Sequence, residues 1–452
     1  MSGLTLERLH KLADPGSFEP FDDQEAAGYL LGALALNGRR AYILASDVDQ
    51  PPRIPLFQAI SRQTAFLEHV LAHPAPLVQI LDVPAHHRDL KGKTPIPPDA
   101  LHLLADSKGV GRTYALLARL EGLAPRVSLL FGPIGAALSF PAALCDALVM
   151  LEGSALCIGR PDAVALMTGQ QTTFERLGGA QMHATFAGTA HRLARSEDGA
   201  LAWARQWLGF LPDRAGAPLP TLAPVPPRGD MEAVAAADPK APFPLKELLE
   251  ALADGGSWLE MGELHAGECR TGFCRLDGHP VGVLASDART RGGILFPETS
   301  RKMARFVRLC GRFGLPTLFL ADTPGFMVGE DVERQGNVQA AAELYAAIAQ
   351  SPSPKACLVL RKAYSAGLYA MAGAGFDAAF RAAPGASISV FGPEALHRFS
   401  QERDMPEPTR KAAADMLEGA LHPELLAQQG LIQGILPWNE MRATLAAFAQ
   451  HA

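Results

Sequence analysis

Three separated stretches of this chain return at one fixed spacing, and no other feature constrains the fold as tightly. Asp14-Pro15-Gly16-Ser17-Phe18 returns as Asp254-Gly255-Gly256-Ser257-Trp258. Asn37-Gly38 and Leu44-Ala45-Ser46-Asp47 return as Asp277-Gly278 and Leu284-Ala285-Ser286-Asp287. Pro76-Leu77-Val78-Gln79-Ile80-Leu81-Asp82-Val83-Pro84 returns as the run from Pro316 to Pro324. The differences 254 − 14, 284 − 44 and 322 − 82 all give 240. A period this long marks duplicated domains, not a solenoid. In 452 residues each copy has room for a sizeable core. The expected copies are residues 1–211 and 245–452. Between them, residues 212–244 hold prolines 212, 218, 220, 224, 226, 227, 239, 242 and 244. Proline breaks helices and cannot donate to a sheet ladder, so this stretch reads as an extended linker.

Each copy reads as a short helix, then strands around an Asn-Gly or Asp-Gly turn, then an amphipathic helix and a buried strand. The first amphipathic helix spans about residues 57–72, with Ile60, Ala65, Phe66, Val70 and Leu71 apolar. The second spans about 297–313, with Met303, Phe306, Val307 and Leu309 inward and Arg301, Lys302, Arg305 and Arg308 outward. That basic face reads first as solvated, with contact to a nucleotide phosphate as the alternative. Alternating strands and helices make the class α/β. Periodicity alone does not separate a doubly wound sheet from a spiral.

Composition narrows the function classes. Net charge is −6 without a long basic run, which argues against a nucleic-acid partner. The six cysteines form no Cys-x-x-Cys pair, so neither a zinc ribbon nor a redox motif is supported. Scattered cysteines suit a reducing compartment, with Cys310 and Cys357 read as core. No signal pattern opens the chain and no 18-residue apolar stretch occurs, so the expectation is a cytoplasmic protein without a membrane span.

Two loops at strand ends carry the candidate chemistry. The run Pro316-Thr317-Leu318-Phe319-Leu320 leads into Ala321-Asp322-Thr323-Pro324-Gly325-Phe326-Met327-Val328-Gly329, a loop at the strand's carboxyl end. Open α/β sheets hold ligands at such ends. Further on, Ala356-Cys357-Leu358-Val359-Leu360 runs into Arg361-Lys362-Ala363-Tyr364-Ser365-Ala366-Gly367. Small residues there let backbone N–H groups approach a ligand, which builds an oxyanion hole without side chains. With Gly292-Gly293-Ile294-Leu295-Phe296 ahead and Ile388-Ser389-Val390-Phe391-Gly392 behind, these stretches resemble the carboxyltransferase β-subunits of biotin-dependent acyl-CoA carboxylases, of the propionyl-CoA and methylcrotonyl-CoA carboxylase type. The closing segment, from Leu421-His422-Pro423-Glu424 through Gly430-Leu431-Ile432 to Pro437-Trp438-Asn439-Glu440-Met441-Arg442, is similar to that family's end. The likeness covers most of the chain and is stronger in the second half. The missing four-cysteine ribbon separates the chain from bacterial acetyl-CoA carboxylase β-subunits.

The resemblance implies two tandem crotonase/ClpP-like spiral domains, with the acyl-CoA side in the first copy and the biotin side in the second. It implies that the Ala366 and Gly367 amides hold a carbonyl oxygen as charge develops, and that Gly135, Ala136 and Ala137 do so for the other reactant. Gly292, Gly293, Pro324, Gly325, Phe326, Tyr364 and Ser365 would line the biotin side. No side-chain nucleophile is then required, because carboxybiotin delivers the carboxyl group and the freed nitrogen takes the α-proton of the thioester. The chain lacks a Met-Lys-Met attachment motif and has no room for an ATP-grasp domain. It would therefore work with a separate biotin carboxylase and biotin carrier, as catalytic dimers and, by family analogy, a hexamer.

The first copy departs from the family at several places. Pro52-Arg53 stands where Gly292-Gly293 stands in the second copy. Residues 83–93, Val83-Pro84-Ala85-His86-His87-Arg88-Asp89-Leu90-Lys91-Gly92-Lys93, replace a Ser-Gly-Gly-Ala-Arg loop. Gly135-Ala136-Ala137 replaces Ala-Gly-Gly. These changes are expected to reshape the thioester pocket, and they keep decarboxylation of a malonyl-type thioester, or a scaffold role, as alternatives. Ser365 resembles a nucleophile elbow without its first glycine, and reads as a turn residue rather than a hydrolase serine. His86, His87 and Asp89 lack further ligands at a metal-binding spacing, so no metal is expected, and Arg88, Lys91 and Lys93 read as a solvated loop.

Overall fold

The computed structural model describes residues 3–22, 28–49, 53–83, 100–235, 241–402 and 404–451. Two compact units emerge, Met1–Pro218 and Leu219–Ala452. In the first, α1 (Leu4–Leu12) is followed by β1 (Glu19–Pro20), β2 (Tyr29–Leu36), β3 (Arg39–Ser46), α2 (Leu56–Ala72), β4 (Leu77–Leu81), α3 (Val110–Arg119), β5 (Arg126–Leu130), β6 (Ala147–Leu151), β7 (Arg192–Ala194) and α4 (Glu197–Leu208). The strands form one sheet in the order β1-β2-β3-β4-β5-β6-β7. It is antiparallel up to β3 and parallel beyond. Asn37 and Gly38 both take positive φ, 54° and 73°, which a tight Asn-Gly hairpin turn requires.

The second unit repeats the plan. Helix α5 (Leu245–Leu252) precedes β8 (Leu259–Glu260), β9 (Cys269–Leu276), β10 (His279–Ser286), α6 (Pro297–Arg312), β11 (Thr317–Thr323), α7 (Asn337–Gln350), β12 (Lys355–Tyr364), α8 (Ala366–Ala370), β13 (Ala378–Ala382), β14 (Ser387–Ser389) and α9 (Trp438–His451). The register repeats as well: Tyr42 pairs with Leu77 and Gly282 with Thr317, an offset of 240 on both strands. After β4 the offset changes, because Leu77 also pairs with Arg126 while Thr317 pairs with Lys355.

The central strands β4 and β11 are buried along their whole length, as strands covered on both faces should be. In the first unit Phe66, Leu67 and Val70 of α2 and Leu116 and Leu117 of α3 share a core with Leu44 and Leu77. In the second, Leu248 and Leu252 of α5 and Met441 and Leu445 of α9 pack on Val281, Val283, Leu318 and Leu358. Each such side chain contributes about 1.5–3 kcal/mol by leaving water.

At the carboxyl end of each central strand sits a buried aspartate. Asp322 is fully buried and meets Arg361 of β12, with Nε to Oδ1 at 3.1 Å. The second contact, Nη2 to Oδ2 at 3.0 Å, is an ion pair without hydrogen-bond alignment. Lys362 lies 4.0 Å away. Burial pushes the Asp322 carboxyl up, against the pull of Arg361 and Lys362. In the first unit the strand register places Gly132 at the position of Arg361, and a Cβ there would lie 2.1 Å from Asp82 Oδ1. The cation comes instead from Arg8 of α1, at 2.9 Å, where the second unit has Leu248. Arg8 also binds Glu197 and stacks 4.8 Å over Phe131. One buried carboxylate is thus neutralised from two different elements.

Three expectations are corrected. Lys302 points inward, not outward: it is buried, and its Nζ donates to the Gly262 and His265 carbonyls at 2.9 and 2.8 Å. Burial pulls its pKa down to about 8. Ala65 is exposed, because Gln63 and Thr64 take the inward positions around Phe66. The proline-rich stretch is not an extended linker throughout. Leu222 N–H donates to Gly278, Arg228 and Gly229 N–H to Glu250, and Gly255 N–H to Pro226, so this part is laid onto the second unit.

Arg361→Met removes the main partner of a buried carboxylate and is expected to destabilise the protein by about 3 kcal/mol. Adding Asp322→Asn should recover most of the loss. Chemical denaturation measures both, and an unmoved midpoint for Arg361→Met would rule out this role for the pair.

Candidate active site

In the second unit, β12 ends at Tyr364 and turns into α8 through Ser365, at φ 53° and ψ −141°. Few non-glycine residues hold such a backbone, and it costs on the order of 1–3 kcal/mol. Ser365 N–H donates to Ser389 at 2.9 Å, which continues the β12–β14 pairing. Ala366 and Gly367 then open α8, where first-turn N–H groups have no intrahelical acceptor. Tyr345 of α7 donates to the Ala366 carbonyl at 3.0 Å and fixes that peptide from behind. Burial, with a smaller contribution from Tyr369, pushes the Tyr345 phenol up to about 12, so it stays a donor at neutral pH.

The loops singled out by sequence converge on this elbow. Gly325, at φ 112°, passes so close that a Cβ on Gly367 would lie 2.6 Å from Gly325 Cα. Gly293, at φ 73°, presses on the Asp322 carbonyl, where a Cβ would sit 2.7 Å away. Thr323 Oγ1 ties the two loops by donating to Gly293 O at 2.7 Å and accepting from Gly325 N–H at 3.1 Å. Phe326 meets Tyr345 edge-on at 6.2 Å, and the Tyr364 ring covers Gly392. Pro324 is half-buried between them. Gly292 is exposed at φ 70°, with no atom nearer than 3.9 Å to a built Cβ, so its backbone conformation is what calls for glycine. The Ser365 side chain is exposed, and among the described residues no hydrogen bond joins it to a histidine, so a hydrolase triad lacks its base.

The first unit has a matching elbow, shifted from the expected residues. Ala136 takes φ 57°, and its N–H donates to Ile158 at 2.9 Å, as Ser365 does to Ser389. Gly135 belongs to the short strand Pro133–Gly135 and pairs with Cys157. Tyr114 of α3 donates to the Ala137 carbonyl at 2.5 Å, as Tyr345 does to Ala366. Ala136 therefore corresponds to Ser365, and Ala137 and Leu138 to Ala366 and Gly367. Of the expected trio Gly135, Ala136 and Ala137, only Ala137 stands level with Ala366 or Gly367; Gly135 is a strand residue and the Ala136 amide is already engaged. Leu138 and the two tyrosines escaped the sequence reading. Their signal was the recurrence of a tyrosine on the helix before each elbow strand. Pro52 and residues 84–93 lie outside the described residues, and Arg53 is exposed.

The description "Carboxyl transferase domain" matches residues 101–451. The chain belongs to the carboxyl transferase family. It is an acyl-CoA carboxyltransferase of the β-subunit type. The propionyl-CoA carboxylase beta chain of Roseobacter denitrificans is 29% identical over 98% of this chain and 89% of its own length. The methylmalonyl-CoA decarboxylase subunit alpha of Veillonella parvula is 28% identical over 99% of this chain and 89% of its own. The crystal structure of the transcarboxylase 12S hexamer, with hydrolyzed methylmalonyl-coenzyme A bound, superposes with a TM-score of 0.86 at 24% identity, covering 99% of this chain and 89% of that one. That likeness shows the tandem crotonase-like carboxyltransferase fold, as the sequence resemblance implied. Among the described residues no helix is long and apolar enough to cross a membrane.

Gly367→Ala puts a Cβ 2.6 Å from Gly325 Cα, which forces the two backbones apart, and is expected to lower carboxyl transfer by about 100-fold while the protein stays folded. Tyr345→Phe, which only frees the Ala366 carbonyl, should cost about tenfold in kcat with KM little changed. Normal turnover in both variants would remove this elbow from the reaction.

Proposed function

We propose that the chain moves a carboxyl group between biotin, borne on a separate carrier, and the α- or γ-carbon of the acyl group of a CoA thioester. The observation that carries this reading is the pair of strand-to-helix elbows. Each presents two successive backbone amides at the start of a helix, with the peptide between them pinned by a tyrosine. Two aligned N–H groups suit an oxygen that gains negative charge, and a well-placed donor lowers such a barrier by about 3 kcal/mol.

Biotin, when bound, supplies the carboxyl group. In the second unit Gly325 and Gly367 touch backbone to backbone and carry no side chain, which leaves the elbow open to a flat ring lying close to the main chain. There the Ala366 and Gly367 amides donate to the ureido oxygen. In the first unit the Ala137 and Leu138 amides donate to the thioester carbonyl as it becomes an enolate. No side chain of either elbow needs to gain or lose a proton. Leu138 places an isobutyl group where the second unit has only hydrogen, so the first elbow selects acyl groups by shape. A separate biotin carboxylase and biotin carrier complete the cycle, and the subunits associate as dimers within a hexamer.

The methylmalonyl-CoA decarboxylase relative supports a second reading, loss of the carboxyl group from a malonyl-type thioester on the same donors. The two are separated with the purified chain, free biotin and a panel of malonyl-type and acyl thioesters. Carboxylation of biotin at the expense of the thioester supports transfer, whereas equal turnover without biotin supports decarboxylation. Ala366→Pro deletes one N–H at a first-turn position, where proline is tolerated, and should reduce transfer by about 100-fold or more. Full activity in a folded Ala366→Pro variant would refute the backbone mechanism.

A further inference from the structure

A cavity of about 630 Å³ lies in the second unit between α5, β8 and the loop after β10. One wall is apolar, made by Leu245, Leu249, Ala253 and Trp258. The rim is charged, but its charges are not equivalent. Asp254 accepts from the Asp277 and Gly278 amides and from Arg442. Glu260 and Asp287 both hold Arg270, at 3.0 and 3.2 Å. Glu250 faces Lys246 at 3.8 Å. Every carboxylate of the rim is therefore engaged. Arg228 and Arg289 are exposed, and among the described residues neither guanidinium has a carboxylate partner. Arg228 lies over Gly256, where a Cβ would approach Nη2 to 2.9 Å, so the glycine makes room for it.

The duplication explains how this opening arose. Arg289 N–H donates to Asp287 Oδ1 at 3.1 Å, and Asp49 N–H donates to Asp47 Oδ1 at the same distance, so positions 49 and 289 correspond. In the first unit the Asp49 carboxylate caps α1, accepting from Leu4 and Thr5 N–H at 2.7 and 2.9 Å. In the second unit Pro244 replaces Leu4 and has no N–H, and Leu245 N–H goes to Phe243. No cap is needed, and an arginine stands in place of the carboxylate.

We propose that this cavity binds a nucleoside phosphate, with the base against Trp258 and Leu249 and the phosphate held by Arg228 and Arg289. The free polar groups of the rim are donors, so the ligand is an anion. The wall is apolar and aromatic, so the anion carries a flat apolar body. Planar guanidinium groups match phosphate oxygens in pairs, and the volume suits a small molecule. A free nucleotide and the nucleotide end of coenzyme A share this chemistry. The inference does not depend on the proposed carboxyl transfer.

Isothermal titration of the full chain with ADP, inorganic phosphate and coenzyme A tests it. ADP should bind in the micromolar range, with phosphate at least about tenfold weaker. Arg289→Asp, which installs the residue of the first copy, and Arg228→Glu should each weaken ADP by about tenfold or more, with unchanged melting temperatures. Where coenzyme A displaces ADP, Arg228→Glu should raise the KM for the thioester with kcat little changed; where it does not, Arg228→Glu should leave carboxyl transfer at the wild-type rate. Coenzyme A that displaces ADP identifies its nucleotide end as a ligand, and ADP binding untouched by coenzyme A assigns the site to free nucleotides. No heat with millimolar ADP, phosphate binding as tightly as ADP, or ADP binding unaltered in both variants would overturn the proposal.

Discussion

A buried carboxylate at the carboxyl end of a central strand is the constraint on which both halves of this protein are built. Asp82 and Asp322 are buried at the carboxyl ends of their strands, where a charged group without a partner is costly. The counter-charge therefore dictates what packs nearby. In the second unit Arg361 comes from the adjoining strand and lies just ahead of the elbow. In the first it comes from α1, and Gly132 must lack a side chain so that Asp82 can fit. The same electrostatic requirement is met by different residues in the two units.

The duplication was legible because strand β3 to β4 and strand β10 to β11 keep one offset, and their turns use residues with special backbone needs. Asn37-Gly38 and Asp277-Gly278 occupy the same positive-φ turn. Legibility stopped where the first copy gains residues after β4. Past that point the offset shifts, and glycine-rich composition no longer fixes which amide faces outward. Gly135 and Ala136 resemble hole residues in composition, yet the first is a strand residue and the second already donates to Ile158. The positive φ of Ala136, its bond to Ile158 and the tyrosine on the Ala137 carbonyl together reveal the correspondence. Lys302 was misread for a related reason. Helical periodicity assigns a charged residue to the solvent side, but it cannot see three carbonyls gathered by the distant 262–266 loop.

The halves also show how a repeated fold acquires unlike surfaces. Replacing Leu4 by Pro244 removes a donor, and with it the need for a capping carboxylate. The position that capped a helix in one copy then becomes free to carry opposite charge in the other. Likewise Leu138 and Gly367 share a backbone role while differing by a whole side chain. Function diverges at positions released from structural duty.

The elbows have one consequence for how the protein meets its surroundings. Their donors are peptide N–H groups, which do not titrate in water, and the tyrosine that steadies one of them holds its proton until about pH 12. On the proposed mechanism the elbows are therefore silent to acidity across the physiological range. Any rise or fall of rate with pH belongs to the reactants, or to the stability of the fold, rather than to an acid or base supplied by the elbows.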